Sequence, residues 1–406
     1  MPVLNRTLGL TECIFFGVGS ILGAGIYTLI GKVAGLSGNM IWISFLISSF
    51  CALLTACSYA ELSAAFPKAG GEYEYTKKAF GKTTGFIMGY VISLNGIIVA
   101  ATVAIGFAGY LNALIELNTL IGGLGIIALL FGVNVLGIRQ SSTINIIFTI
   151  IEAGGLIFII VIAAPSIGDV NLLEMPSGGG HAVIAAAALA FFAFVGFEEI
   201  VKLSEETKNP EQNIPRALFV ASIIVIIMYT LVALAAVSVI PYEQLGTSES
   251  PLADIASKSF GNVGVIIISV IALFATSNTI LSNMIGSSRV LLSMSTESKI
   301  LKPLAIVSSK RKTPLMALIV VLVVTAAFAL IGDIETIARI STLFIFTAFI
   351  LINLSVVVLR LKDKNLKRPY RIPFNIKNIP ITSVLGIILT SALLGYAIVG
   401  LFDSQS

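Results

Sequence analysis

Residues 17–31 read GVGSILGAGIYTLIG, and four glycines, Gly17, Gly19, Gly23 and Gly25, crowd the middle of an apolar stretch running from 10 to 33. About 20 apolar residues suffice to carry a helix across a bilayer, so this stretch is long enough to span one. The glycines interrupt it. One such pair reads as close helix packing, since small residues let membrane helices approach. A second stretch, ALAFFAFVGFEEIVKL at 188–203, is broken near its centre by Gly196 and then Glu198 and Glu199. An unwound turn inside a bilayer is tolerated only where ligand, water or protein satisfies its freed N–H and C=O groups. Two broken spans in one chain therefore point to a shared site at the membrane's midplane.

The surroundings agree with a membrane chain. Of the 406 residues 57% are hydrophobic and 11% charged, and mean hydropathy is +1.01, where a soluble domain carries roughly a quarter charged residues. An all-α polytopic membrane protein is expected and a water-soluble enzyme is excluded. Long apolar runs place spans near 10–33, 39–65, 82–113, 119–137, 141–164, 181–203, 214–240, 262–294, 315–332, 336–359 and 380–402, eleven in all. With the N-terminus in the cytoplasm, every Lys and Arg except Lys32, Lys258 and Arg339 falls in or beside a cytoplasmic loop, as the positive-inside rule requires. An odd number of spans then puts the C-terminus outside. The broken spans are the first and the sixth, each opening a run of five, and five spans per run make the second inverted relative to the first. The expected organisation is a first repeat at 1–168, an external linker at 169–180, a second repeat at 181–360, and a basic loop with one extra span at 361–406. The linker, with Pro176 and SGGG, reads as flexible.

Other functions have little material. Net charge is only +4, and the basic residues sit in short patches suited to topology and lipid contact, so no nucleic-acid partner is expected. Cys13, Cys51 and Cys57 lie in apolar stretches and, being odd in number, form no disulfide framework. His181 is the sole histidine. No metal centre, no catalytic residue and no resident cofactor is expected. The first span lacks a small-residue cleavage site and is expected to stay attached.

The intramembrane charges carry the remaining chemistry. Glu152 lies near the centre of its span, where an ionised carboxylate costs about 2.5–3.5 kcal/mol on insertion scales. It must be neutral, paired or hydrated, and a carboxyl that exchanges a proton there can couple transport to a proton gradient. A carboxylate can equally ligate sodium, and a structural, hydrogen-bonded Glu is the bland alternative. Glu198 and Glu199 stand four and three residues before Lys202, which favours helix ion pairs; the functional alternative has Glu198 gating or carrying a proton. Glu12 and Glu61, near span ends, are expected to reach interfacial water. Pro215 is compatible with the first turn of span seven, with a gate hinge as the functional alternative for its loop.

Four segments together resemble the amino acid/polyamine/organocation (APC) permease superfamily, in particular its amino-acid permease and cationic amino-acid transporter-like members. They are GVGSILGAGIYTLIG, the loop AFPKAGGEYEYTKKAFG at 65–81, FFAFVGFEEIVKLSEETKNPEQNIPRAL at 191–218, and RPYRIPF at 368–374. The resemblance implies a five-plus-five inverted repeat of the leucine-transporter type, with substrate between discontinuous first and sixth helices. It implies that Gly23, Ala24, Gly25 and Ile26 line the substrate site, the last three offering N–H groups to a substrate carboxylate. Ile21, Phe192, Ala193, Phe194 and Val195 would offer carbonyls to its ammonium, with Phe192 as an aromatic gate. A helix N-terminus facing a carbonyl end suits a zwitterion. Two departures stand out: many members have twelve or more spans, and many have a lysine at the position of Glu152, where the amine stands in for a coupling sodium. If the family register holds, Ser282, or its neighbours Ser277 and Thr279, would face Glu152.

The expectation is a multi-pass cell-membrane protein, a secondary active amino-acid transporter that couples uptake to protons by alternating access, with sodium as the alternative coupling ion. A polyamine or organic-cation carrier, using Glu152 against an amine, and an amino-acid exchanger are the nearest rivals; a membrane scaffold or receptor is a different class. The substrate's side chain and the oligomeric state are not legible.

Overall fold

The computed structural model describes residues 4–248, 250–331 and 334–403. The side chains of Ala24 and Arg339, and residues 404–406 of the expected external end, lie outside the described residues. The chain is a helical bundle with one short hairpin. Helices α1 (Leu10–Leu22) and α2 (Ala24–Ser37) share the first span, α3 (Ile41–Ala65) makes the second, and a short α4 (Glu72–Phe80) lies in the loop that follows. Then come α5 (Lys82–Ile115), α6 (Thr119–Leu136), α7 (Ile138–Ala163) and α8 (Gly179–Ala190), the last continuing as two 3₁₀ segments, Phe191–Phe194 and Phe197–Glu206. The rest is α9 (Pro210–Val239), a short α10 (Tyr242–Thr247), α11 (Pro251–Ser295), α12 (Leu315–Ile331), α13 (Ile334–Lys362), strands β1 (Asn375–Ile376) and β2 (Ile379–Pro380), and α14 (Ile381–Asp403). Among the described residues nine stretches are long and apolar enough to cross a membrane, and two shorter apolar helices, Leu315–Leu330 and Ile381–Tyr396, account for the other two expected spans.

Helix α7 shows how the bundle sorts its faces. Ile147, Ile150, Ile157 and Val161 are exposed, while Asn145, Thr149, Glu152, Leu156 and Ile159 are buried. Residues three and four apart share one helix face, so the polar side chains of this helix point into the protein and its isoleucines outward, the arrangement a lipid surround favours. That buried face packs on α1 and α11.

Several expectations need correction. Helix α9 starts at Pro210, not near 214, and Pro215 lies inside it. Pro210 occupies the first-turn position, where a missing N–H costs nothing. The eighth span begins earlier than 262: α11 runs from Pro251 and kinks at Gly261, whose φ of 54° only glycine adopts readily. The linker is tied down, since Trp42 Nε1 donates to the Leu172 carbonyl at 3.0 Å and Asn39 Nδ2 to Glu174 at 2.9 Å. Glu61 does not reach water. It is buried, accepts the Arg360 guanidinium through both oxygens, meets Arg368 Nε at 3.2 Å and takes the Ile372 N–H at 2.9 Å. A carboxylate can stay in such a place only with several charge-assisted donors. The RPYRIPF segment is thereby docked on α3, and the β1–β2 hairpin turns at Lys377 and Asn378, both at positive φ.

Candidate functional site

Gly23 alone separates α1 from α2, with φ −32° and ψ −157°. One non-helical residue leaves the last carbonyls of α1 and the first amides of α2 outside the helical ladder. The first turn of α2, Ala24–Ile26, has no side-chain cap. On the other side of the break, the Ile21 carbonyl accepts the Tyr229 hydroxyl at 2.6 Å. In the second broken span Val195 is extended and Gly196 sits at φ 129°. The Val195 N–H donates to the Phe192 carbonyl at 3.2 Å, and the Gly196 N–H donates to the Glu198 carboxylate at 2.8 Å.

The two breaks touch each other. A Cβ at Gly25 would stand 3.0 Å from Ala193 Cα, and one at Gly196 would overlap the Ser20 carbonyl oxygen. Around this contact Phe191 packs on Phe346 and Phe349 at 5.0 and 5.9 Å between centroids, Phe194 on Tyr229 at 5.2 Å, and Phe197 on Phe349 at 5.2 Å. All three rings are buried, as is Ala193, whereas Phe192 and Val195 are partly exposed. Of the four phenylalanines at this break, Phe192 alone is not committed to the core.

Glu152 joins the site through a chain of amides and hydroxyls. Asn278 Nδ2 donates to Glu152 Oε2 at 3.2 Å and to Thr149 Oγ1 at 3.0 Å, while Asn145 Nδ2 donates to Asn278 Oδ1 at 2.6 Å and to Ser282 Oγ at 3.4 Å. Glu152 is fully buried, and its Oε1 has no hydrogen-bond partner among the described residues. The chain lies directly against the first broken span: Thr149 donates to the Phe15 carbonyl at 3.3 Å, and a Cβ at Gly19 would overlap both Thr149 and Asn278. Gly19 is thus where α1 packs directly on two members of this chain. The Tyr27 hydroxyl, one turn past the break, donates to the Glu152 carbonyl at 3.1 Å.

A separate set of charges lies beyond the second break. Lys202 pairs with Glu199, and Glu72 of α4 accepts from the Tyr59 hydroxyl at 3.1 Å. Burial pushes the Glu72 carboxyl above its ordinary value, and the Lys202 ammonium opposes that push. Glu206 receives Arg289 in a two-pronged pair, at 3.1 Å from Nε and 3.0 Å from Nη2. The backbone of the same segment holds the chain's start: Thr7 and Leu8 donate to the Glu206 carbonyl at 3.0 Å, and the Lys208 N–H donates to the Leu8 carbonyl at 2.8 Å.

Paired helix breaks around a buried acid are a transporter's architecture, and the amino acid permease family profile matches residues 8–403. The chain belongs to the amino acid permease family. Among its relatives are the branched-chain amino acid permease BcaP of Bacillus subtilis (strain 168), 28% identical over 396 residues that cover 91% of this chain and 84% of that protein. The vacuolar cationic amino acid transporter 4 of Arabidopsis thaliana is 29% identical over 387 residues, 88% of this chain and 64% of the longer plant protein. The methylthioribose transporter of B. subtilis is 28% identical over 401 residues, 94% of this chain and 86% of that protein. The permease is a multi-pass membrane transporter and not an enzyme.

The ion pair expected with Lys202 forms from Glu199, three residues away, while Glu198 turns back onto the Gly196 N–H. The segment is 3₁₀, with three residues per turn, so positions three apart eclipse and positions four apart diverge. Opposite Glu152 stands Asn278, with Ser282 one helical turn further on against Asn145. Ser277 and Thr279 instead donate to their own helix, at the Leu273 and Ala275 carbonyls. Asn145, Thr149, Tyr229 and Asn278 were missed. The spacing of Asn145, Thr149 and Glu152, four and then three residues, was a signal available in the sequence.

Tyr229 supplies a direct check on the break. Tyr229→Phe removes the donor to the Ile21 carbonyl and is expected to cost about 1–3 kcal/mol, the range for leaving a buried polar group unsatisfied. The unfolding midpoint of the purified permease measures it, and an unshifted midpoint would show that this carbonyl needs no protein donor.

Proposed function

We propose that the permease is a secondary active amino-acid transporter that takes up its substrate with protons by alternating access, in the cell membrane, with its N-terminus cytoplasmic and its C-terminus external. The contact between the two helix breaks, Gly25 on Ala193 and Gly196 on Ser20, carries the reading. A zwitterion entering as the breaks part meets the first-turn amides of Ala24, Gly25 and Ile26 with its carboxylate. It meets the carbonyl side of the breaks, Ile21 and Phe192–Val195, with its ammonium. The Ile21 carbonyl keeps one lone pair beyond that used by Tyr229, and the partly exposed Phe192 is the gate. The inverted five-span repeats at 1–168 and 181–360 supply the symmetry for the rocking movement, and the segment at 361–406 stands outside it. The names of the relatives support an amino acid as the substrate class, branched-chain or cationic.

Coupling is assigned to Glu152, with Ser282 in the chain of groups that supports it. Asn278 turns N–H donors toward the carboxylate, not oxygens, an arrangement that suits a group which gains and loses a proton and disfavours a bound metal ion. Two oxygens without partners, Glu152 Oε1 and Asn145 Oδ1, favour sodium as the second reading. Glu198 belongs to neither, because its carboxylate caps Gly196.

Reconstitution in liposomes tests the proposal. A labelled amino-acid panel is offered under an imposed proton gradient and then under a sodium gradient, and proton-driven accumulation of a zwitterion is the expected result. Accumulation driven only by sodium would move Glu152 to an ion ligand, and accumulation of amines alone would overturn the amino-acid assignment. In Glu152→Gln, binding is expected to persist while uptake loses its dependence on pH. An unchanged pH profile would make Glu152 a structural residue.

A further inference from the structure

A cleft of about 600 Å³ opens beside the start of α1, away from the helix breaks. Arg6 reaches it from the N-terminal segment, Arg139 from the first turn of α7, and Lys208 from the loop before α9; Glu12 is the one carboxylate in its lining. Among the described residues none of the three cations makes an ion pair or a side-chain hydrogen bond. That sets them apart from Lys202, Arg289, Arg360 and Arg368, each of which is held by a buried glutamate. Glu12 accepts the Gly9 N–H at 2.9 Å through Oε2 and offsets one of the three positive charges, which leaves the cleft net basic.

The cleft also holds hydroxyls with nothing to bond. Ser142 is 3% exposed and Thr7 Oγ1 is buried, both residues line the cleft, and neither side-chain oxygen has a hydrogen-bond partner among the described residues. A buried hydroxyl left unsatisfied is costly, and a ligand at the site would relieve it. Helix α7 presents one face to the cleft, through Arg139, Ser142, Thr143 and Ile146. Three cations and donor hydroxyls around one cleft suit a tetrahedral oxyanion.

A smaller basic cleft elsewhere, at Lys364, Arg368, Arg371 and Asn378, lacks this character. There Arg368 is held by Glu61 and Arg371 donates to Asn378 at 2.6 Å.

We propose that the cleft formed by Arg6, Arg139, Lys208 and Ser142 binds the phosphate group of an anionic ligand, a phospholipid headgroup or free phosphate, and that the bound anion fastens α7 to the N-terminal segment. The fastening follows from geometry, because the three cations come from three separate segments. One of them, the segment holding Arg6, is the strap bonded to Glu206 and Lys208. The assignment is independent of the transported substrate.

Thermal unfolding of the full-length protein in neutral detergent tests it. One arm adds inorganic phosphate against chloride at matched ionic strength, and the other adds phosphatidylglycerol against phosphatidylcholine. A saturable rise in midpoint is expected for the unmodified protein. Arg139→Gln, Arg6→Gln and Ser142→Ala should each raise the half-saturating concentration, by about tenfold for the arginines, which corresponds to one charge-assisted bond. Lys364→Gln, in the other basic cleft, should leave it unchanged. A rise with phosphatidylglycerol alone assigns the site to the lipid headgroup, one with phosphate alone to a soluble anion, and one with both to the phosphate group itself. No rise in either arm, or a rise undiminished in Arg139→Gln, overturns the proposal. Loss of the rise in Arg139→Gln but not in Arg6→Gln would remove the fastening to the N-terminal segment.

Discussion

Arg289→Met is expected to destabilise the permease by about 3–5 kcal/mol, the range found when one partner of a buried ion pair is removed. Both side chains are 1% exposed, so no water reaches the Glu206 carboxylate once its partner is gone. Arg289 makes two bonds to that carboxylate, and its Nη1 donates to Ser288 Oγ at 2.8 Å. The loss falls on a junction, because the Glu206 carbonyl also anchors Thr7 and Leu8. The unfolding midpoint in detergent and the yield of inserted protein measure the effect. Adding Glu206→Gln to the same chain removes the stranded charge and should recover much of the stability. A single variant that unfolds with the unmodified protein, or a double variant no better than the single, would show that Glu206 finds another partner.

Gly196→Ala should cost transport more than it costs folding. At φ 129° an L side chain is strained, and residues held in such regions cost of order 1–3 kcal/mol. The added methyl would also overlap the Ser20 carbonyl oxygen and stand 2.7 Å from its carbon. The neighbour is backbone, so no rotamer change relieves the overlap; the two breaks must move apart. Since about 1.4 kcal/mol is a factor of ten, uptake per inserted molecule should fall about tenfold or more. Gly25→Ala is the milder comparison, because its methyl would meet Ala193 Cα at 3.0 Å and φ there is not positive. Equal uptake in Gly196→Ala and the unmodified permease would show that the two breaks do not work as a pair.

What was legible in the sequence is what a single span reveals about itself. Length and polarity located the nine stretches long enough to cross a membrane and the two shorter apolar helices among the described residues, the GAG at 23–25 located the first break within a residue, and the loss of apolar character at 196–199 located the second. Glu152 stood out because a carboxylate at mid-membrane depth is rare. Partners contributed by other helices were not legible. Asn278 lies one position from the serine and threonine expected to face Glu152, and a shift of one residue turns a helical side chain by about 100°. Glu61 looked interfacial because its span ends nearby, whereas Arg360, far along the chain, folds over it. The 3₁₀ winding after Gly196 has no simple sequence signature, and it selects Glu199 over Glu198 as the partner of Lys202. The basic cleft escaped notice because its residues are spread over the N-terminal segment, α7 and the loop before α9.

The bonds that join Thr7 and Leu8 to Glu206, and Lys208 back to Leu8, stitch together two stretches of chain far apart in sequence. Each stretch leads directly into one of the broken spans. Stitched at this end, they are tied to α11 as well, through the Arg289–Glu206 pair. Parting α1 from Phe197–Glu206 at this end would break all of these bonds together.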